Sequence, residues 1–241
     1  MKYDEKYLYF LAEMSGFDPE ADTLYLPVDT TPQSGSTYCE NYDLTFSRAC
    51  DFVICIAGEE SRVVVQERYE TLWAVHAYET DRADPYETIR EKDSPVFRPI
   101  RLLVQREDPV PASASVGGWI ASPVYETGRL REGNADPESS SYDSLADFHY
   151  TENGVEIRIP WELLNFGDPA ERMIHDDYYE NHGIEYMQIE ELYVGLSGGS
   201  SDHRTEMKPF SLEGWDESDS YSERLKESYY ILQEYWKKEI G

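Results

Sequence analysis

The chain has 241 residues, enough for one large β domain or two small ones and for a sizeable core. It carries 49 Asp and Glu against 21 Lys and Arg, a formal net charge of −28, which repels nucleic-acid phosphates and anionic lipid and makes both poor partners. No apolar run approaches the length of a membrane span, and the aromatics are weighted to 20 Tyr against 8 Phe, a balance that suits sheets and polar-ligand surfaces.

Residues 7–13 alternate, with Leu8, Phe10 and Ala12 on one face, the period of two that marks a half-buried strand. Ser15-Gly16-Phe17-Asp18-Pro19 reads as a turn. Residues 23–29 give a second strand, with Leu24, Leu26 and Val28 facing one way, and residues 30–41 a polar loop. In a third strand over 51–57, Phe52, Ile54 and Ile56 alternate with Val53 and Cys55; after a turn at Gly58-Glu59-Glu60, residues 62–66 start a fourth. The pattern then changes. Tyr69, Leu72, Trp73, His76 and Ala77 share one helical face, which predicts a helix over 67–79 inserted between strands. A loop over 81–95 precedes a strand in which Ile100, Leu102 and Val104 alternate; 106–118 is a surface loop rich in Pro, Ala, Ser and Gly, 119–125 a short edge strand, and 133–144 a loop.

The clearest stretch follows. Val155, Ile157 and Ile159 alternate with Glu156 and Arg158, and Asn153-Gly154 signals a tight hairpin from the preceding Ala146, Phe148 and Tyr150 strand. Pro160 ends the strand, because it cannot donate to the ladder, and it suits the start of a short helix over 161–164. Residues 166–183 read as irregular, 189–196 as a strand with Leu192, Val194 and Leu196 on one face, 197–202 as a flexible loop and 209–212 as a last short strand. Tyr221, Leu225, Tyr229, Leu232, Trp236 and Ile240 recur every three or four positions, an amphipathic helix with Lys237 and Lys238 near its C-terminal end. The sum is a mainly β chain: one antiparallel β-sandwich domain over 1–241, with 66–145 an insertion carrying a helix and loops, and 216–241 a C-terminal helix packed on it.

Three stretches carry a resemblance. The strand ending Ile159-Pro160-Trp161, with Leu163 and Leu164 just after, resembles the late strand of the family 9 carbohydrate-binding modules, members of the wider DOMON-like β-sandwiches. Asp4-Glu5-Lys6-Tyr7-Leu8-Tyr9 and Asp22-Thr23-Leu24-Tyr25-Leu26-Pro27-Val28-Asp29 resemble that family's early strands. The resemblance covers about residues 1–65 and 145–212. It implies a DOMON-like sandwich, two tryptophans that sandwich a sugar, and polar side chains that grip its reducing end. It also implies a further strand ahead of Met1, and hence a module of a longer extracytoplasmic parent; no signal-like segment opens this chain.

A pyranose shows C–H bonds on its faces and hydroxyls at its rim, so its site needs an aromatic ring beside polar groups. Trp119, after Gly117-Gly118 in a loop-to-edge context, is the first aromatic candidate, against the alternative that it covers the sandwich edge. Trp73 is the second, although its place on an apolar helical face also fits core packing. Trp161 and Trp236 read as structural, and Trp215 as either. Gln66, Arg68, Tyr125 and Arg131 are the polar candidates near these rings. Asp18, Glu20 and Asp22 place oxygens at alternate positions, as a structural Ca²⁺ would use, without the glycine and distal Glu of an EF-hand. His175, Asp176, Asp177, Glu180 and His182 match no standard zinc spacing and read as a solvated loop. Cys39, Cys50 and Cys55 read as free and buried, with a Cys39–Cys50 bridge left open.

Catalytic motifs are lacking: no Gly-x-Ser-x-Gly elbow, phosphate loop or His-Glu-x-x-His occurs, and no Met–His pairing indicates haem. The expectation is a non-catalytic module that binds an oligo- or polysaccharide, with no cofactor beyond that calcium and no nucleic-acid or membrane partner. The alternative is a structural module on the same fold that docks other domains of its parent chain.

Overall fold

A computed structural model describes residues 1–70, 91–103, 124–198 and 204–214. The expected C-terminal helix, most of the expected inserted helix and the 106–118 loop lie outside the described residues. In chain order the strands are β1 (Lys2–Tyr3), β2 (Tyr7–Glu13), β3 (Leu24–Asp29), β4 (Ser36–Cys39), β5 (Leu44–Cys50), β6 (Phe52–Ile56), β7 (Arg62–Gln66), β8 (Phe97–Pro99) and β9 (Arg101–Leu103). Then come β10 (Val124–Glu126), β11 (Phe148–Thr151), β12 (Gly154–Pro160), β13 (Phe166–Asp168), β14 (Met173–His175), β15 (Tyr186–Gln188), β16 (Glu191–Gly195) and β17 (Met207–Ser211), with one helical turn, α1 (Tyr178–Asn181), between β14 and β15.

The fold is mainly β and antiparallel. A four-stranded sheet runs β1-β2-β12-β11 and a six-stranded sheet β17-β16-β3-β6-β7-β8. Their apolar faces meet in one cluster. Leu8, Phe10, Phe148, Val155, Ile157 and Ile159 come from the first sheet; Leu24, Leu26, Val28, Phe52, Ile54, Ile56, Val63, Val65 and Leu192 come from the second. Each such side chain contributes about 1.5–3 kcal/mol by leaving water. Trp161 closes one end of this cluster. Its indole Nε1 donates to the Asp4 carbonyl at 2.8 Å and its ring meets Phe166 edge-on at 4.7 Å.

The six-stranded sheet is buried on its other face too. The β4–β5 hairpin lays Cys39, Leu44, Phe46 and Cys50 against Val53, Val64, Phe97 and Met207. That is why all five residues of β6 are buried, apolar on both sides. The three cysteines are free and buried. Burial pushes the Cys39 thiol up to about 12 and Cys55 up to about 11, and Cys50 well above its ordinary value, so none offers a thiolate.

Several local expectations are corrected. β4 and β5 occupy part of the expected polar loop and the segment after it. β13, β14 and α1 occupy the segment expected to be irregular. No helix begins at Glu67: Glu67–Tyr69 is one 3₁₀ turn, and Glu70 after it is extended. Thr151 pairs with Gly154, so the hairpin turn is Glu152-Asn153 and Gly154 already belongs to the strand. The glycine serves close approach: a Cβ there would lie 1.9 Å from the Ala12 carbonyl oxygen of the neighbouring strand. Of the apolar residues expected to share a face in β16 and just beyond, Leu192 is buried, Val194 half-buried and Leu196 exposed.

Candidate functional site

The outward half of the four-stranded sheet forms a groove of about 590 Å³. Strand alternation builds it: the residues between the core-facing Leu8, Phe10 and Ala12, and between Val155, Ile157 and Ile159, must point the other way. Register then sets them in rows. Lys2 pairs with Tyr9 and Tyr9 with Arg158; Leu11 pairs with Glu156 and Glu156 with His149. The loop at Gly133–Asp136 forms one wall, held by Gly133 N–H to the Phe148 carbonyl at 3.0 Å and Asp143 N–H to the Asn134 carbonyl at 2.6 Å.

The polar groups of the groove are fixed before any ligand arrives. Arg158 donates from Nε to the Ala146 carbonyl at 2.6 Å and from Nη2 to the Ser144 carbonyl at 2.8 Å, and its guanidinium stands 4.9 Å from the Tyr7 ring centre. Tyr9 donates its hydroxyl to Asp4 Oδ2 at 2.7 Å; burial and that bond push its phenol up to about 12, so it stays neutral. Asp147 accepts from the Arg131 N–H at 2.8 Å, and burial raises its carboxyl. Glu156 and His149 are exposed, and Leu11 is 57% exposed, an apolar side chain on an otherwise polar face. Lys2 and Arg158 stand against Asp136, Asp147 and Glu156, so the groove is near charge balance while the whole chain is at −28.

A second, smaller cleft of about 210 Å³ lies at the end of β3, lined by Asp29, Thr30, Pro32, Arg48, Glu191 and Tyr193 among others. Arg48 pairs with Asp29 and covers the Tyr193 ring at 3.8 Å. Behind Asp29 lies Asp51, fully buried, whose Oδ2 accepts from the N–H groups of Thr30 and Thr31, each at 2.8 Å, and from the Thr30 hydroxyl at 3.2 Å. Burial raises both carboxyls, Asp29 to about 6 and Asp51 to about 8; the Arg48 charge pulls Asp29 down and the Asp29 charge pushes Asp51 up.

Of the residues expected from sequence, Gln66, Arg68, Tyr125 and Arg131 do not line the groove. Trp73 and Trp119 lie outside the described residues, as do Trp215 and Trp236. Gln66 is fully buried; it donates to the Ser94 carbonyl at 3.1 Å and accepts from the Arg68 N–H at 2.8 Å. Arg68 is buried in an ion pair with Asp177 at 2.6 Å, so these two side chains serve the interior. Tyr125 is exposed on the β9–β10 ribbon, opposite Leu102, away from the groove. Arg131 is exposed and paired with Asp143 at 2.9 Å, and its backbone N–H anchors Asp147 at the groove wall.

Asp18, Glu20 and Asp22 staple their own loop: Asp22 Oδ2 accepts from the Asp18 N–H at 2.8 Å and Asp18 Oδ1 from the Glu20 N–H at 3.0 Å. Asp177 caps α1, while Glu180 pairs with Lys92. His175 Nδ1 and the Tyr178 hydroxyl are hydrogen-bonded at 2.7 Å, and burial lowers the pKa of the imidazole. Among the described residues, no three His, Cys, Asp or Glu side chains converge to hold a metal, and no helix is long and apolar enough to cross a membrane.

Comparison with protein-family models, with curated proteins and with solved structures finds no match for this chain.

Proposed function

We propose that this chain is a non-catalytic carbohydrate-binding module, an antiparallel β-sandwich of the DOMON-like kind, and that its glycan lies along the groove on the four-stranded sheet. The observation that carries the reading is the groove itself. Tyr9, Leu11 and Ala135 offer apolar surface for sugar faces. Asn134, Asp136, His149 and Glu156 offer donors and acceptors for the hydroxyl rim. Their near charge balance favours a neutral oligo- or polysaccharide. The fixed Arg158 and Tyr9 mean that little order has to be bought on binding. The short motifs at residues 4–9, 22–29 and 159–164 support the fold half of the reading, and with it an extracytoplasmic parent protein.

A second reading, a structural module that docks other domains of a parent chain, draws on the exposed Leu102 and Tyr125, paired across the β9–β10 ribbon. A glycan array, with free and blocked reducing ends and with and without Ca²⁺, separates the two. Saturable binding weakened by Tyr9→Ala supports the module in the groove. Binding weakened only by Trp119→Ala moves the ligand off the groove. No binding anywhere favours the docking module.

A further inference from the structure

We propose that Asp29, Asp51 and Thr31 bind a hard divalent cation of the calcium class at the inner end of the cleft beside Arg48. The starting observation is a set of buried oxygens that ordinary hydrogen bonds leave poorly satisfied. Among the described residues, Asp29 Oδ1, Asp51 Oδ1 and Thr31 Oγ1 each lie out of water with no well-formed hydrogen bond. Their residues are 3%, 0% and 3% exposed. Such atoms are rare in folded proteins, because each forfeits its hydration for nothing. Here three occur together: the Asp29 and Asp51 carboxyls are within hydrogen-bonding reach of one another, and the Thr31 hydroxyl neighbours Asp51.

Charge points the same way. Two carboxyls side by side in the interior need a proton or a cation between them. Arg48 supplies one cation, but it reaches Asp29 from the cleft side, with 38% of its side chain exposed. Among the described residues, the donors to Asp51 are neutral: the Thr30 and Thr31 N–H groups and the Thr30 hydroxyl. The backbone also leaves space at Asp51. Gly35 sits there with φ +112°, and a Cβ on it would come within 2.9 Å of both Asp51 Oδ1 and the Cys50 carbonyl oxygen. The donor set is all oxygen, two carboxylates and a hydroxyl with a carbonyl nearby, which suits calcium rather than zinc. The cleft gives the ion its way in, since it opens onto Asp29. The donors differ from those of the Asp18, Glu20 and Asp22 loop, where Asp18 and Asp22 already accept N–H groups of their own loop.

The test uses the full chain, stripped with a chelator and titrated with Tb³⁺, whose emission Tyr69 can sensitise because its hydroxyl bonds Ser34 beside Thr31. Calcium then competes. The expected result is one saturable site, a melting temperature that rises with calcium, and affinity lowered about tenfold or more by Asp51→Asn or by Thr31→Val. Asp18→Asn and Asp22→Asn should leave it unchanged. The proposal is overturned if no saturable emission appears, the outcome for carboxyls that merely share a proton. Equal affinity in the wild type and in Asp51→Asn overturns it too, as expected of scattered surface acids. Should Asp51→Asn fail to fold, Thr31→Val decides alone, and an unchanged affinity in that variant overturns the proposal.

Discussion

Trp161 donates its indole N–H to the carbonyl oxygen of Asp4, 157 positions earlier, at 2.8 Å. The bond ties the turn after β12 to the turn before β2, at the end of the strand pair that carries the groove. Trp161→Phe loses that hydrogen bond and part of the buried ring, and should cost about 1–3 kcal/mol. Trp161→Ala also opens a cavity against Phe166 and should cost about 3–5 kcal/mol. Urea unfolding of both variants measures the difference.

Gly154 should tolerate no side chain. The Ala12 carbonyl oxygen would lie 1.9 Å from a Cβ; the oxygen is backbone and the Cβ is fixed directly to backbone, so neither can swing away. Gly154→Ala should therefore destabilise by about 3 kcal/mol or more and disturb the β2–β12 ladder. Amide exchange at Ala12 and Glu13 reports the second effect. A neutral Gly154→Ala variant would contradict the observed register.

The Asp29 and Asp51 carboxyls titrate above the usual carboxylate range, at about 6 and about 8. Between pH 4 and 8 the folded chain thus holds more protons than the unfolded one. Their contribution to stability is present in full at low pH and is lost as pH rises through the folded values. With a chelator present, the melting temperature should fall from pH 5 to pH 9. Asp51→Asn, which cannot ionise, should flatten that fall. A melting temperature that rises over the same window in wild type but not in Asp51→Asn would contradict the sign.

Arg68 and Asp177 test what a buried polar pair does here. Removing one partner leaves the other's charge in the interior without this salt bridge, so Arg68→Met or Asp177→Asn alone should cost about 3–5 kcal/mol. The single variants should lose stability while the folded fraction keeps full glycan affinity. Affinity lost from a fully folded Arg68→Met variant would return Arg68 to the binding surface.

The strands with a clean alternation were legible in the sequence. β2 and β7 span the expected residues, and the 3₁₀ turn at Trp161–Leu164 follows Pro160 as expected. β2 separates apolar and polar residues onto two faces, β7 carries a run of three valines between Arg62 and Gln66, and a proline marks the boundary before the 3₁₀ turn. β4 was not legible, because Ser36-Thr37-Tyr38-Cys39 shows no apolar period; it is a strand because it covers the outer face of β6 and β7, which only the tertiary fold reveals. β13, β14 and β15 have three residues each, too few to show any period. The groove escaped for another reason. Its rows join β2 and β12, which lie far apart in sequence, and its aromatic surface is tyrosine rather than tryptophan. One signal was present. Leu11 is an apolar residue on the polar half of an alternating strand, where nothing in the core explains it.

The central claim is that the outward face of β2 and β12 binds glycan, and isothermal titration with the best array hit tests it most directly. The account predicts that Tyr9→Ala and Glu156→Ala each weaken binding about tenfold, roughly the loss of one good contact, with melting curves little changed. Wild-type affinity in both variants, with folding intact, would contradict it and remove the groove as the binding site.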